Sequence, residues 1–201
     1  MKESKKKITL SNTKYHLLNN NRVHSLHNPK IKTIVLDLGG VYFEAGTTLA
    51  LKKIYKLVNA SKERIDEVFC EYPCKEGWLY RKGKINKKEF WEIAVQELKI
   101  DKRMIPQLQK IWHSSYKPIK GMKKIVHKLR QNYRIIVFSD NIEERIEYLD
   151  SKYNLRREFD SFVLSFQHGF SKKEIEFYKI LLKKIACNQR NLFLLMIVRN
   201  F

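Results

Sequence analysis

The chain has 201 residues, of which 43% are hydrophobic and 12% aromatic, enough for one compact unit or a core with a small inserted module. This excludes a wholly disordered chain, and no apolar run reaches the ~18–20 residues needed to cross a bilayer. Lys and Arg number 41 against 21 Asp and Glu, a formal net charge of +20, which can draw in nucleic acid or an anionic substrate.

The lysines are spread along the chain, often as pairs such as Lys52-Lys53, Lys87-Lys88 and Lys183-Lys184. No aromatic RNA-binding strand, zinc knuckle or helix-turn-helix accompanies them. Solvated helix faces in a Lys-, Ile- and Asn-rich chain explain the charge better than a nucleic-acid partner does. The basic N-terminus has no apolar segment behind it, so no secretory signal is read and a cytoplasmic location is expected. Cys70, Cys74 and Cys187 are an odd set without His partners at ligand spacing, and read as reduced thiols.

Residues 1–30 are polar, basic and without apolar period, which predicts a flexible extension; His16, His24 and His27 within it lack ligand spacing. Order begins with the β-branched run from Ile31, a strand that ends in Asp37 and turns at Gly39-Gly40. Residues 46–116 read as helical. The spacing predicts helices over Leu49–Val58, from a Ser61 cap through Phe69, over Lys87–Leu98 and over Met104–Trp112. Pro118 and Gly121 punctuate the return. Then helix 121–131, strand Arg134–Ser139, helix Ile142–Tyr153, strand Phe162–Ser165, helix Glu174–Ala186 and strand Leu192–Val198 alternate. Such alternation predicts βαβ units and a parallel, Rossmann-like α/β sheet, made of residues 31–45 and 117–201 and interrupted by a helical module at 46–116.

Ligands of open α/β sheets bind beyond the carboxyl ends of the strands. Three candidate groups fall there. Asp37 is a carboxylate able to attack phosphorus, or simply a turn cap. Ser139, in Phe138-Ser-Asp-Asn141, adds a hydroxyl where a helix opens, an anion site or an ordinary N-cap. Lys172, in Gly169-Phe-Ser-Lys172, would neutralise phosphate charge or merely sit in solvent.

An acid, a hydroxyl and a lysine after three successive core strands form an ordered set, and with them the chain resembles the haloacid-dehalogenase-like (HAD-like) hydrolases. Motif one resembles Ile34-Val-Leu-Asp-Leu-Gly-Gly-Val41, motif two Ile136-Val-Phe-Ser-Asp-Asn141, and motif three Gly169-Phe-Ser-Lys172. Arg145–Leu149, Phe159–Ser165 and Gly83–Trp91 also match the family's text, so the likeness covers residues 31–190.

The resemblance implies a phosphatase of a small phosphorylated metabolite, working through an aspartyl phosphate with Mg²⁺. Asp37 would be nucleophile and metal ligand, with the Gly39 carbonyl as second ligand. Ser139 and Lys172 would hold the transferring phosphoryl group, with Gly40 and Asn141 at the substrate. The helical module would be a cap, its aromatics Trp78, Tyr80 and Trp91 mostly buried in cap core, with pocket lining as the other reading.

The pattern is departed from twice. Gly39 stands where the family has a second Asp as general acid and base, so the proton donor is unassigned. No Asp or Glu follows Glu176, so the paired acids of motif four are missing. This implies an incomplete metal site, and the competing expectation is a decayed domain without turnover. AT-rich codons under Leu194–Phe201 would encode Ile-Asp-Asp-Ser-Lys-Glu-Phe in a shifted frame, which predicts a frameshift near Leu194. Metal-independent dehalogenation is disfavoured, because the Arg it wants soon after the nucleophile is absent between Asp37 and Arg64.

Overall fold

The computed structural model describes residues 31–70, 75–186 and 192–196. The extension 1–30 with its three histidines, Cys74, Cys187 and the tail from Ile197 lie outside them. A four-stranded parallel sheet has the order β3-β2-β1-β4. Its strands are β1 (Ile31–Leu36), β2 (Arg134–Ser139), β3 (Ser161–Leu164) and β4 (Leu192–Met196).

Side chains alternate across the sheet, as a strand's period of two requires. Ile34, Leu36, Ile135, Val137 and Leu164 face one apolar cluster. It is closed by α6 (Met122–Arg130), α7 (Glu143–Tyr153) and the short α8 (Leu155–Glu158). Val35, Ile136, Phe138 and Val163 face the other, against Phe177, Leu181 and Ile185 of α10 (Ile175–Ala186). The result is helix, sheet, helix in three layers, with the two clusters buried on opposite faces.

Between β1 and β2 stands the helical insert: α1 (Gly46–Ile54), α2 (Lys62–Phe69), α3 (Glu76–Arg81), α4 (Lys87–Leu98) and α5 (Ile105–Ser114). Its starts follow local chemistry. The Ser61 hydroxyl accepts from Arg64 N at 3.1 Å, and Asn86 and Glu89 form a reciprocal capping box at the head of α4. The insert has a core of its own, with Phe69, Phe90 and Trp112 fully buried around Ala50, Ile65 and Leu108. Its two ends leave the core side by side: Glu44 N donates to Lys117 O at 2.9 Å, and Ile119 N to Tyr42 O at 2.9 Å.

Several expected boundaries shift. α1 begins at Gly46 and not Leu49, and ends at Ile54 before a turn through Val58. Position 46 needs glycine because Tyr116 fills the place of a side chain: a Cβ there would lie 2.1 Å from the ring. β3 spans Ser161–Leu164 in place of Phe162–Ser165, because Ser165 opens the single turn α9 (Ser165–His168). α3, α8 and α9 were unpredicted, being too short to show a period. Tyr80 and Trp91 are buried in the insert core, and Trp78 is half-buried. Cys70 lies past the end of α2 in extended backbone, its thiol reduced. No helix among the described residues is long and apolar enough to cross a membrane.

Candidate active site

The strand β1 delivers Asp37 to the carboxyl edge of the sheet, and the chain then folds back at once. Tyr42 N and Phe43 N both donate to Leu38 O, at 3.0 and 2.8 Å, and Gly40 N donates to Phe43 O at 2.7 Å. Gly40 has φ +75°, a left-handed conformation that favours glycine. The closed turn fixes the Asp37 carboxylate: Oδ1 accepts from Leu38 N at 2.7 Å, and Oδ2 lies 2.5 Å from Lys172 Nζ.

Lys172 comes from the loop between α9 and α10, and carboxylates hold that loop at two points. Its backbone N–H is shared by both oxygens of Asp140, at 3.0 and 3.1 Å. One residue earlier, Ser171 N and Oγ both donate to Glu174 Oε2, at 3.0 and 2.9 Å, ahead of α10. Burial opposes a charge on Glu174, but Lys82 and Ser171 outweigh it and hold its carboxyl below the usual range. The Lys172 side chain is only 6% exposed, so its ammonium faces Asp37 across a site largely closed to water. Its Nζ also lies 5.4 Å from the centre of the Phe138 ring.

Ser139 ends β2, 2% exposed, and so lies at the same edge as Asp37 through the parallel pairing of β1 with β2. Asn141 is buried deeper. Its N–H donates to Ser165 Oγ at 2.9 Å, while its Oδ1 accepts from Ile142 N at 3.0 Å and from Arg145 at 3.1 Å. Ser165 in turn donates to Arg81 O at 2.6 Å, joining this loop to the insert.

Two groups escaped the sequence reading. Arg145, fully buried, stacks on Trp112 and Tyr116 with its guanidinium carbon 4.8 and 4.4 Å from the ring centres. Tyr116 borders Gly39: a Cβ built there would meet its Cε1 at 3.5 Å. An arginine on a predicted helix and a tyrosine two residues before a proline carry no local signal of such placement. Among the described residues, no group of three or more His, Cys, Asp or Glu is arranged to hold a metal ion. The acidic oxygen donor at the turn is the Asp37 carboxylate, which suits a hard cation that keeps most of its waters and shares a substrate phosphate.

No family model matches the chain. An uncharacterised protein of Dictyostelium discoideum is 30% identical over 160 residues, 76% of this chain; the match spans 66% of that relative, just under two thirds of its length. Among solved structures, a HAD family enzyme of Bacteroides thetaiotaomicron, crystallised as a mutant with magnesium and inorganic phosphate, is similar at a TM-score of 0.65. It shares 19% identity, with 78% of this chain and 79% of that one covered. A HAD-like family hydrolase of Porphyromonas gingivalis is similar at a TM-score of 0.62 and 18% identity, covering 83% and 81%.

Proposed function

Starting from a chain that has the fold of the HAD-like hydrolases, we propose that it is a phosphohydrolase acting on a small phosphorylated metabolite, with Asp37 as nucleophile. The observation that carries this reading is the ion pair of Asp37 with Lys172, 2.5 Å long and nearly buried at the carboxyl edge of the sheet. The ammonium orients the carboxylate at the sheet edge and neutralises phosphoryl oxygens as charge develops on them. Ser139, at the end of the neighbouring strand, is the hydroxyl for a second phosphoryl oxygen. Gly40 and Asn141 shape the floor on which the substrate rests. The basic surface assists by attracting the dianion.

Mg²⁺ would be held by the Asp37 carboxylate and the Gly39 carbonyl, with waters and the substrate completing its shell, as this ion tolerates. Bound there, it would shield the phosphoryl group during in-line displacement. The magnesium and phosphate of the similar Bacteroides enzyme support the assignment. The insert, residues 46–116, is the cap that limits water and selects substrates.

The test is hydrolysis of p-nitrophenyl phosphate. Turnover that requires Mg²⁺ and disappears in Asp37→Asn is expected. Turnover unchanged in that variant would refute the assignment of the nucleophile. A second reading is a decayed domain of the same fold, without turnover. It predicts phosphate binding by calorimetry with no hydrolysis of any ester.

A further inference from the structure

Displacement at phosphorus by a carboxylate expels an alkoxide, a poor leaving group unless a positioned acid gives it a proton. Asp37 and Lys172 are committed to one another, and Gly39, two residues after the nucleophile, has no side chain. The side chain that borders this position is Tyr116, whose Cε1 lies 3.5 Å from where a Gly39 Cβ would point. Resting on the phosphohydrolase reading, we propose that the Tyr116 hydroxyl is the general acid and base of the reaction, on the leaving-group side of the phosphoryl centre.

Three features fit Tyr116 for this. Its hydroxyl is paired with Thr47 Oγ1 at 2.7 Å, so the phenol is oriented and a phenolate would keep a hydrogen-bond donor. The buried Arg145 guanidinium lies 4.4 Å from the ring centre, and Arg81 Nη2 lies 3.5 Å from Thr47 Oγ1. Both place positive charge beside the ring and its hydrogen-bond partner. The ring is also fixed sterically, because it lies flat over Gly46, where a Cβ would come within 2.1–2.5 Å of its atoms.

The steps balance. Asp37 Oδ forms a bond to phosphorus as the ester P–O bond breaks, its electron pair going to the alkoxy oxygen. That oxygen takes the Tyr116 proton and leaves as the alcohol. Water then attacks the aspartyl phosphate and gives its proton to the Tyr116 phenolate, which releases inorganic phosphate and the Asp37 carboxylate.

The experiment compares p-nitrophenyl phosphate, whose leaving group needs no proton, with glycerol 1-phosphate, whose leaving group does. Tyr116→Phe keeps the ring against Gly46 and Arg145 and is expected to melt with the wild type. Its kcat/KM on glycerol 1-phosphate, which covers the steps up to departure of the alcohol, should fall ~10²–10⁴-fold, the usual worth of a general acid. Its kcat/KM on the aryl ester should fall far less, while kcat on both drops through the shared water attack. Gly39→Asp in the same background should restore part of the loss, since position 39 has ordinary backbone and room for a Cβ. An equal loss of kcat/KM on both esters, or no loss on either, overturns the role of Tyr116 and leaves the nucleophile assignment standing. A wild type that turns over neither ester sinks both proposals together.

Discussion

Lys172 meets Asp37 because Asp140 and Glu174 hold its loop, so the site depends on carboxylates that touch no substrate. Asp140→Ala should leave the fold intact and lower kcat on p-nitrophenyl phosphate roughly 10²-fold, the cost of misplacing a charged group by about 1 Å. A kcat equal to wild type would mean that the lysine finds its place unaided. At the same scale, His113 is 5% exposed, and neither ring nitrogen has a hydrogen-bond partner among the described residues. Burial, aided by the charges of Arg145 and Lys87, pushes its pKa from 6.5 down to about 3. The unfolded chain therefore binds a proton below about pH 6.5 that the folded chain refuses, and stability falls as pH drops through that window. By pH 5 the loss is about 2 kcal/mol. Denaturant melts should show His113→Phe with a flatter profile between pH 5 and 7, and parallel profiles would contradict this. The placement of Asp37, Ser139 and Lys172 was legible in the sequence, because each lies at or after the end of an apolar strand. Tyr116, Arg145 and His113 were not, since their roles arise from contacts between segments distant in the chain.

Several side chains of the insert converge on one residue of α7. Glu144 accepts hydrogen bonds from Tyr80, from Trp91 Nε1 at 3.3 Å and from Gln109 at 3.1 Å, and pairs with Lys87 at 2.9 Å. Burial and the bond to this carboxylate push the Tyr80 hydroxyl pKa well up. Glu144→Ala would strand these donors and should destabilise the protein by roughly 2–4 kcal/mol, as loss of a buried charged partner does. Hydrogen exchange should then speed up in α4 and α5 before it does in the sheet; uniform acceleration would argue against a local latch. Strands and long helices could be read from the sequence, since β-branched runs and 3.6-residue periods are local properties. The latch could not, because one glutamate in an acidic helix face reads as solvated.

For the whole molecule, a net charge of +20 sets a long-range field that salt can screen. KM for a phosphate ester should rise several-fold from low to high ionic strength while kcat holds; a salt-independent KM would place capture under local contacts alone. Strand order was not legible either: the sequence implied a parallel sheet, but nothing local put β1 between β2 and β4. The paired exit strands of the insert, with Phe43 bridged to Pro118, have a consequence of another kind. A segment that departs and returns at one point can be exchanged for another of different length without rethreading the sheet. Replacement of the segment between residues 44 and 117 would thus leave the strand order and the pairing of Asp37 with Lys172 in place, which makes this junction the natural point for exchanging one insert for another.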